Sequence, residues 1–539
     1  MSCPTATPRL DRSRLRAPAE NLQWLIQPDW EQLPLLVQGN QQQLRDSAGE
    51  LAGVPLARLR QQARRQLIEA ALHYTRSYRD VDLPCEPQAV LLAGHQPELF
   101  HPGVWFKNAV LHALAVRLGA VAVNLVIDSD VLHRTLVPAP GGDWQHPQRA
   151  WVELDRPLDR EVPLELRRVS DPRRFASFGS RLQQTVRHFI PRPLVEPFWP
   201  VVLERHRATG LLGAALAQGR HAWEGLWGWQ TLELPQSAVC SLPAFAHLVA
   251  HLAWHAPQFH RAYNQAVLDY RRRRRLRSRT HPSPLLGRQE DWYELPLWTY
   301  SGQEPVRRGL WVRRRGAQVE FTDRASWQEG LPAGGANPRQ ALAEGVQRWQ
   351  RHGRWIRTRA LLTTLWARLV LGDLFLHGIG GAKYDEVTEQ LAREFFGCPL
   401  PEAAVATATV WLPGARRTVG DEQLGRLKHH LRQTLWQPER FLPPEREHDP
   451  PAELRRLLEE KRRLLAQPSS PQRHRLLEQL RQRLLPWALA RQQQLRQQLA
   501  QLQRQQQAES VLAYREYPFC VFEEEKLRDF FLAFCRRSA

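Results

Sequence analysis

Apolar and polar positions alternate in blocks between residues 89 and 127. A short apolar run, Ala89 to Leu92, is followed by a polar Gly/His/Pro loop, Ala93 to Gly103. Next come an amphipathic segment from Val104 to Leu118 and a second apolar run from Ala120 to Ile127. The pattern predicts strand, loop, helix and strand, one βαβ unit whose first turn faces a ligand. A similar pattern returns late in the chain. The apolar stretch Arg359 to Leu371 leads through Gly372-Asp373-Leu374-Phe375 into His377-Gly378-Ile379-Gly380-Gly381-Ala382-Lys383, ahead of a helix-like segment from Tyr384 to Phe396. Residues 403–412 add a further apolar strand. Two glycine loops of this kind predict one site assembled from distant parts of an α/β chain with a Rossmann-like, mostly parallel sheet.

The remaining patterns set the organisation. Residues 1–84 read as a helical lead-in, with Leu56, Leu59, Ala63, Leu67 and Ala71 on one face. Residues 85–170 form the first half of the core, its tail from 135 to 170 alternating loosely as short strands or a ribbon. Residues 171–357 are a largely helical insertion with short strands at 310–312 and 319–321. The second half of the core spans 358–448. Leucine stripes over 452–465 and 472–509, split by Gln467-Pro468-Ser469-Ser470-Pro471, predict an antiparallel coiled-coil hairpin at 449–510, kinked or interrupted at Pro486. Residues 511–539 return as a strand, 511–521, and a helix, 523–534. The stripes exceed what a lone hairpin needs, so a homodimer through residues 452–509 is expected, the alternative being an arm packed back on its own core; a dimeric interaction protein with a vestigial site, or a basic nucleic-acid-associated protein, is the alternative to an enzyme.

Composition narrows the partners. The formal charge is +20, but only five of the 75 basic residues are lysines, so the excess is diffuse and arginine-borne. Two of those five, Lys107 and Lys383, lie in or just after the glycine loops. Arginine does not replace lysine where a compact point charge is needed. The run Arg271 to Arg275 with Arg277 and Arg279 is read as a solvated helix end, ahead of nucleic-acid contact, because no stacking aromatics are interleaved. No apolar stretch of membrane-spanning length and no hydrophobic leader is present, so the expected setting is the cytoplasm. Six scattered cysteines carry no metal or disulfide spacing. His247, His251 and His255 follow helical spacing without a carboxylate partner, so no metal site is indicated.

The candidate chemistry gathers at the predicted strand ends. Gly94, His95, Gln96, His101 and Lys107 surround a natural position for phosphate or carboxylate at a helix start. Asp128 and Asp130, with His133, stand at the end of the next strand, where they could hold a ribose, an amine or a phosphate. His377, Gly378, Gly380, Gly381 and Asp385 form the second loop, and Lys383 could neutralise a leaving phosphate. His95, Asp128, Asp130 and Lys383 are the catalytic candidates. Glu294, among Trp292, Tyr293 and Trp298, reads as a carboxylate for a cationic amine covered by a tryptophan, or as part of a packed hairpin.

These three patches resemble the cysteine-adding enzymes of bacillithiol biosynthesis. That family's early loop begins Gly-Gln-Gln and runs to Gly-Pro before a helix, as Gly94-His95-Gln96 runs here to Pro102-Gly103. Its acidic, histidine-containing strand end is similar to Asp128-Ser129-Asp130 with His133, and its later glycine turn to Gly378-Ile379-Gly380-Gly381 with Asp385 and Glu386. This chain departs from it in His95 for Gln, in Pro97-Glu98, and in a glycine turn without proline. The resemblance implies a Rossmann-like core with a helical arm. It also implies a ligase or transferase of a small amine- or thiol-bearing metabolite, with a nucleotide such as ATP or ADP as the candidate cofactor.

Overall fold

The computed structural model describes residues 10–12, 15–442 and 450–538. Cys3 and the expected boundary at 448/449 lie outside them. The fold is mixed α/β and centres on a six-stranded sheet. Its strands are β1 (Gln23–Gln27), β2 (Val90–His95), β3 (Val121–Val126), β4 (Leu232–Pro235), β5 (Leu374–His377) and β6 (Ala404–Thr409). The spatial order is β1-β6-β5-β2-β3-β4. Strands β2 to β6 are parallel, and β1 runs antiparallel to β6 at the edge.

Four strands, β2, β3, β5 and β6, are buried along their whole length or nearly so, which explains their largely apolar composition. Val90, Leu92, Val123, Leu125 and Leu234 share one hydrophobic cluster with Val387 and Leu391 of helix Ile379–Phe395. The other face is covered by α1 (Pro102–Leu118), which is buried nearly all round. Trp105 and Phe106 of α1 meet Phe519 at 4.4 Å and Phe534 at 5.0 Å. Three further elements matter below: α2 (Leu212–Leu226), α3 (Ala360–Trp366) and the cluster-forming helix just named, α4 (Ile379–Phe395).

Several expectations need correction. The lead-in supplies strand β1, and the middle region supplies β4 to the core sheet. The middle region also holds its own antiparallel sheet, built mainly from Trp292–Ser301, Arg308–Arg315, Gln318–Thr322, Gln328–Pro332 and Arg354–Thr358. No strand forms at 511–521. There the backbone of Phe519 donates to Phe100 O and that of Leu194 to Phe522 O, so the apolar run packs into the core instead of pairing along a strand. The basic run is not simply solvated. Arg271 donates to the carbonyls of Arg279, His281 and Ser283, closing the loop that follows its helix, and Arg274 pairs with Glu386.

The chain divides into two compact units. One comprises residues 1–139, 150–410 and 515–539; the other comprises 140–149 and 411–514. In the second unit, helix Ala452–Leu465 packs on helix Pro471–Leu512 through Leu454, Leu457, Leu464, Leu480 and Leu484. Pro486 does not interrupt the longer helix. Helix Asp421–Trp436 lies against the same long helix, where Gln492 and Thr434 are both buried. Much of the leucine stripe is thus filled within the unit. Among the described residues no helix is long and apolar enough to cross a membrane.

Candidate functional site

The links leaving β2 and β5 diverge: β2 continues through α1 to β3 on one side, and β5 continues through α4 to β6 on the other. Between the carboxyl ends of these two neighbouring strands the connections open a crevice, the place where parallel sheets bind ligands. A cavity of about 360 Å³ occupies it. Gly94, His95, Gln96 and Lys107 line one side, and His377, Gly378 and Gly381 the other. Both glycine loops therefore border one cleft.

Local sequence explains each wall. After β2 the chain turns tightly, with the Glu98 and Phe100 amides bonded to the Gln96 and Glu98 carbonyls. His101 then caps α1, its Nδ1 accepting from the Gly103 amide at 3.1 Å, and Pro102 occupies the first helical position. Gly103 is required because a Cβ there would collide with the Ala408 carbonyl of β6. On the opposite wall, Gly378 starts α4 with no side-chain cap, so the leading amides of the helix are available to an anion. A Cβ at Gly378 or Gly380 would meet open space, whereas one at Gly381 would sit 2.8 Å from His377 Nδ1.

The electrostatics are set by burial. The Lys107 amine is buried at the cleft wall, donates to Gly94 O at 2.6 Å, and is pushed down to about 7 by burial and then by the Arg220 guanidinium. His95 is held well below the usual histidine range by burial, with Arg220 and Lys107 adding to it. Its Nδ1 lies 3.1 Å from Gln96 O, while its buried Nε2 has no partner among the described residues. Burial raises the Glu98 carboxyl, and Asp130 raises it further. His377 is fixed from behind by Asp385 at 3.0 Å. Burial works against the Asp385 carboxylate, but the adjacent Arg368 and His377 outweigh it and hold the group ionised.

Other candidates lie elsewhere. Asp385 is enclosed between His377 and Arg368, a support behind the cleft and not a wall of it. His101 is committed to its cap, and burial with Arg515 lowers it to about 3. Asp128 is turned toward Ser237, accepting from its amide at 2.9 Å and from its hydroxyl. Burial, then Glu165, raises that carboxyl to about 7. Asp130 stands at the rim, accepting from Gln96 at 3.2 Å and Arg307 at 3.0 Å. His133 is exposed and borders a separate cavity with Arg134 and Arg160. Gly380 and Lys383 are exposed and outside the lining, because the helical phase of α4 turns them away from the wall that carries Gly378 and Gly381. Glu294 does hold a cation beneath a tryptophan, but the cation is the chain's own Arg359. The two groups pair at 2.6 Å, with the guanidinium 4.0 Å from the Trp298 ring centroid.

Some lining residues carried no signal that separated them from ordinary core. Thr363 and Thr364 of α3 close the cleft above Phe375, and the pair of threonines inside an apolar helix was the only hint. Behind α1, Glu224 accepts from Trp105 at 2.6 Å and from Asn108 at 2.8 Å, and pairs with Arg220, which also pairs with Glu233 of β4. This buried network fixes the helix carrying Lys107. The cleft thus offers a low-proton-affinity amine, a neutral imidazole, a carboxyl of raised proton affinity and an uncapped helix start, a set able to hold an anion and move one proton. No family model matches the chain, and no characterised protein matches it at a significant level.

Proposed function

We propose that the cleft between β2 and β5 binds a phosphate-bearing small molecule, such as ATP or ADP. In this reading the chain is a ligase or transferase acting on a small amine- or thiol-bearing metabolite. The observation that carries it is the meeting of both glycine loops around the unpartnered, buried His95 Nε2. The phosphate lies at the start of α4, and Lys107, near 7, takes a proton from the attacking amine or thiol. The five parallel strands with diverging links support a Rossmann-like reading. The resemblance to the cysteine-adding enzymes of bacillithiol biosynthesis supports the same assignment. Exposed Leu465, Leu476 and Leu489 on the two arm helices support pairing with a second copy of the chain.

Titration calorimetry of the full chain with ATP and ADP tests the site. Saturable binding that falls at least tenfold in Lys107→Met and stays unchanged in Lys383→Ala is expected. Binding of neither nucleotide, or loss in Lys383→Ala alone, overturns the reading.

A further inference from the structure

A larger cavity of about 680 Å³ lies at the opposite, amino end of the core sheet. Helices Leu33–Asp46 and Leu56–Arg76 form its sides, and Ala89, Val90 and Asp373 its floor. Val90 and His95 are the two ends of β2, about 16 Å apart at the rise of a strand. The two cavities are therefore distinct.

Four guanidinium groups line this cavity, from Arg45, Arg60, Arg64 and Arg65, against two carboxylates, Glu69 and Asp373. Arg65 pairs with Glu69 at 2.8 Å and Arg64 with Asp373 at 2.9 Å, so two cations lack a counter-charge among the described residues. Arg60 is only 6% exposed. Its Nε and Nη1 donate to the carbonyls of Leu369 and Leu44, while its Nη2 has no partner among the described residues. Nε and Nη2 of Arg64 are likewise buried and unpartnered. Buried donors left unmade are rare in folded proteins, and planar guanidinium groups suit the paired oxygens of a carboxylate or phosphate. The rest of the lining is largely apolar, with Leu44, Ala57, Ile68 and Pro87 among it.

We propose that this cavity binds a small molecule with a carboxylate or phosphate head on an apolar body. The head lies on Arg60 and Arg64, and the body on Leu44 and Ile68. Because Asp373 also accepts from the Val90 amide at 2.8 Å, the occupant would sit directly on the start of the central strand.

Calorimetric titration of the full chain with octanoate, octyl phosphate and uncharged octanol tests this. At least one anion is expected to bind saturably and at least tenfold more tightly than octanol, the tighter of the two anions identifying the head group. Arg64→Gln should weaken that binding at least tenfold, and Lys107→Met should leave it unchanged. Ile68→Glu, at a half-buried position, places a carboxylate on the body site and should abolish binding even where Arg64→Gln fails to fold. Equal affinity for octanol, no saturable binding of either anion, or binding indifferent to the substitutions overturns the proposal. Sensitivity to Lys107→Met instead of Arg64→Gln would assign the anion to the other cleft.

Discussion

Replacing Lys107 with methionine removes a buried amine and keeps nearly the same side-chain length. The amine falls from its ordinary 10.5 to about 7 in the folded chain, first through burial and then through Arg220. Between those values the unfolded chain carries a proton that the native chain lacks. Native stability therefore rises with pH across this window, and below about pH 7 the whole cost of enclosing the charge is present. A window of about 3.5 pH units at ~1.36 kcal/mol each amounts to about 5 kcal/mol. Methionine avoids that cost but leaves the Gly94 carbonyl without its 2.6 Å donor, a loss of about 1 kcal/mol. The variant should be more stable than the parent by about 4 kcal/mol at pH 6 and less stable by about 1 kcal/mol at pH 10.5. Urea unfolding followed by tryptophan fluorescence at pH 6, 8 and 10.5 measures the difference. A stability change of the same sign and size at all three values would refute the reasoning, since it would mean that Lys107 is not enclosed as a neutral amine.

Asp385→Asn leaves the buried Arg368 and His377 without their shared carboxylate and should cost about 3–5 kcal/mol, read as a lowered urea midpoint. Gly381→Ala presses a methyl group against His377 Nδ1 and should weaken nucleotide binding at least tenfold, while Gly380→Ala, facing open space outside the lining, should leave it within twofold. Glu294→Gln, which disturbs the Arg359 pair and the carboxylate oxygen that accepts from the Gly287 amide at 2.8 Å, should lower thermal stability and leave nucleotide affinity unchanged; a tenfold loss of affinity would return Glu294 to the site. In sedimentation velocity the parent chain should run as a dimer and Leu489→Glu as a monomer, and a monomeric parent would remove the arm from assembly.

The stretch from β2 through α1 to β3 was legible because two buried apolar runs flank a polar Gly/His/Pro loop and a helix-length segment; the structure adds Pro102 at the helix start and Gly119, at φ 56°, at its end. Strand β1 was hidden because its exposed Gln23 and five-residue length break any apolar run beside helical neighbours. Strand β4 was hidden because it buries Glu233, whose charge is satisfied by Arg220, a partner on α2 that no local pattern links to it. The same physics separates the candidate residues. Position along a loop predicted that His95 and Gly378 face a cleft. It could not reveal that Asp128 is taken by Ser237 or Glu294 by Arg359, since those partners come from distant turns of the chain. Lys383 was misjudged by proximity: a few residues into a helix are enough to rotate a side chain off the wall that its loop builds.

The discontinuity of the first unit bears on how the chain can be synthesised. Residues 515–539 belong to that unit although the arm precedes them. They provide Phe519, Phe531 and Phe534 as the cover for Trp105 and Phe106 of α1, and Cys535 lies against Ala109 across 426 positions of sequence. Helix α1 is apolar nearly all round, so until this last segment leaves the ribosome it presents a sticky surface in a nascent chain whose arm can already fold. A product that ends within the arm keeps the network around Lys107 but has an orphaned aromatic face on α1. An exposed aromatic face of this kind promotes aggregation, so the segment made after the arm is what completes the core of the first unit.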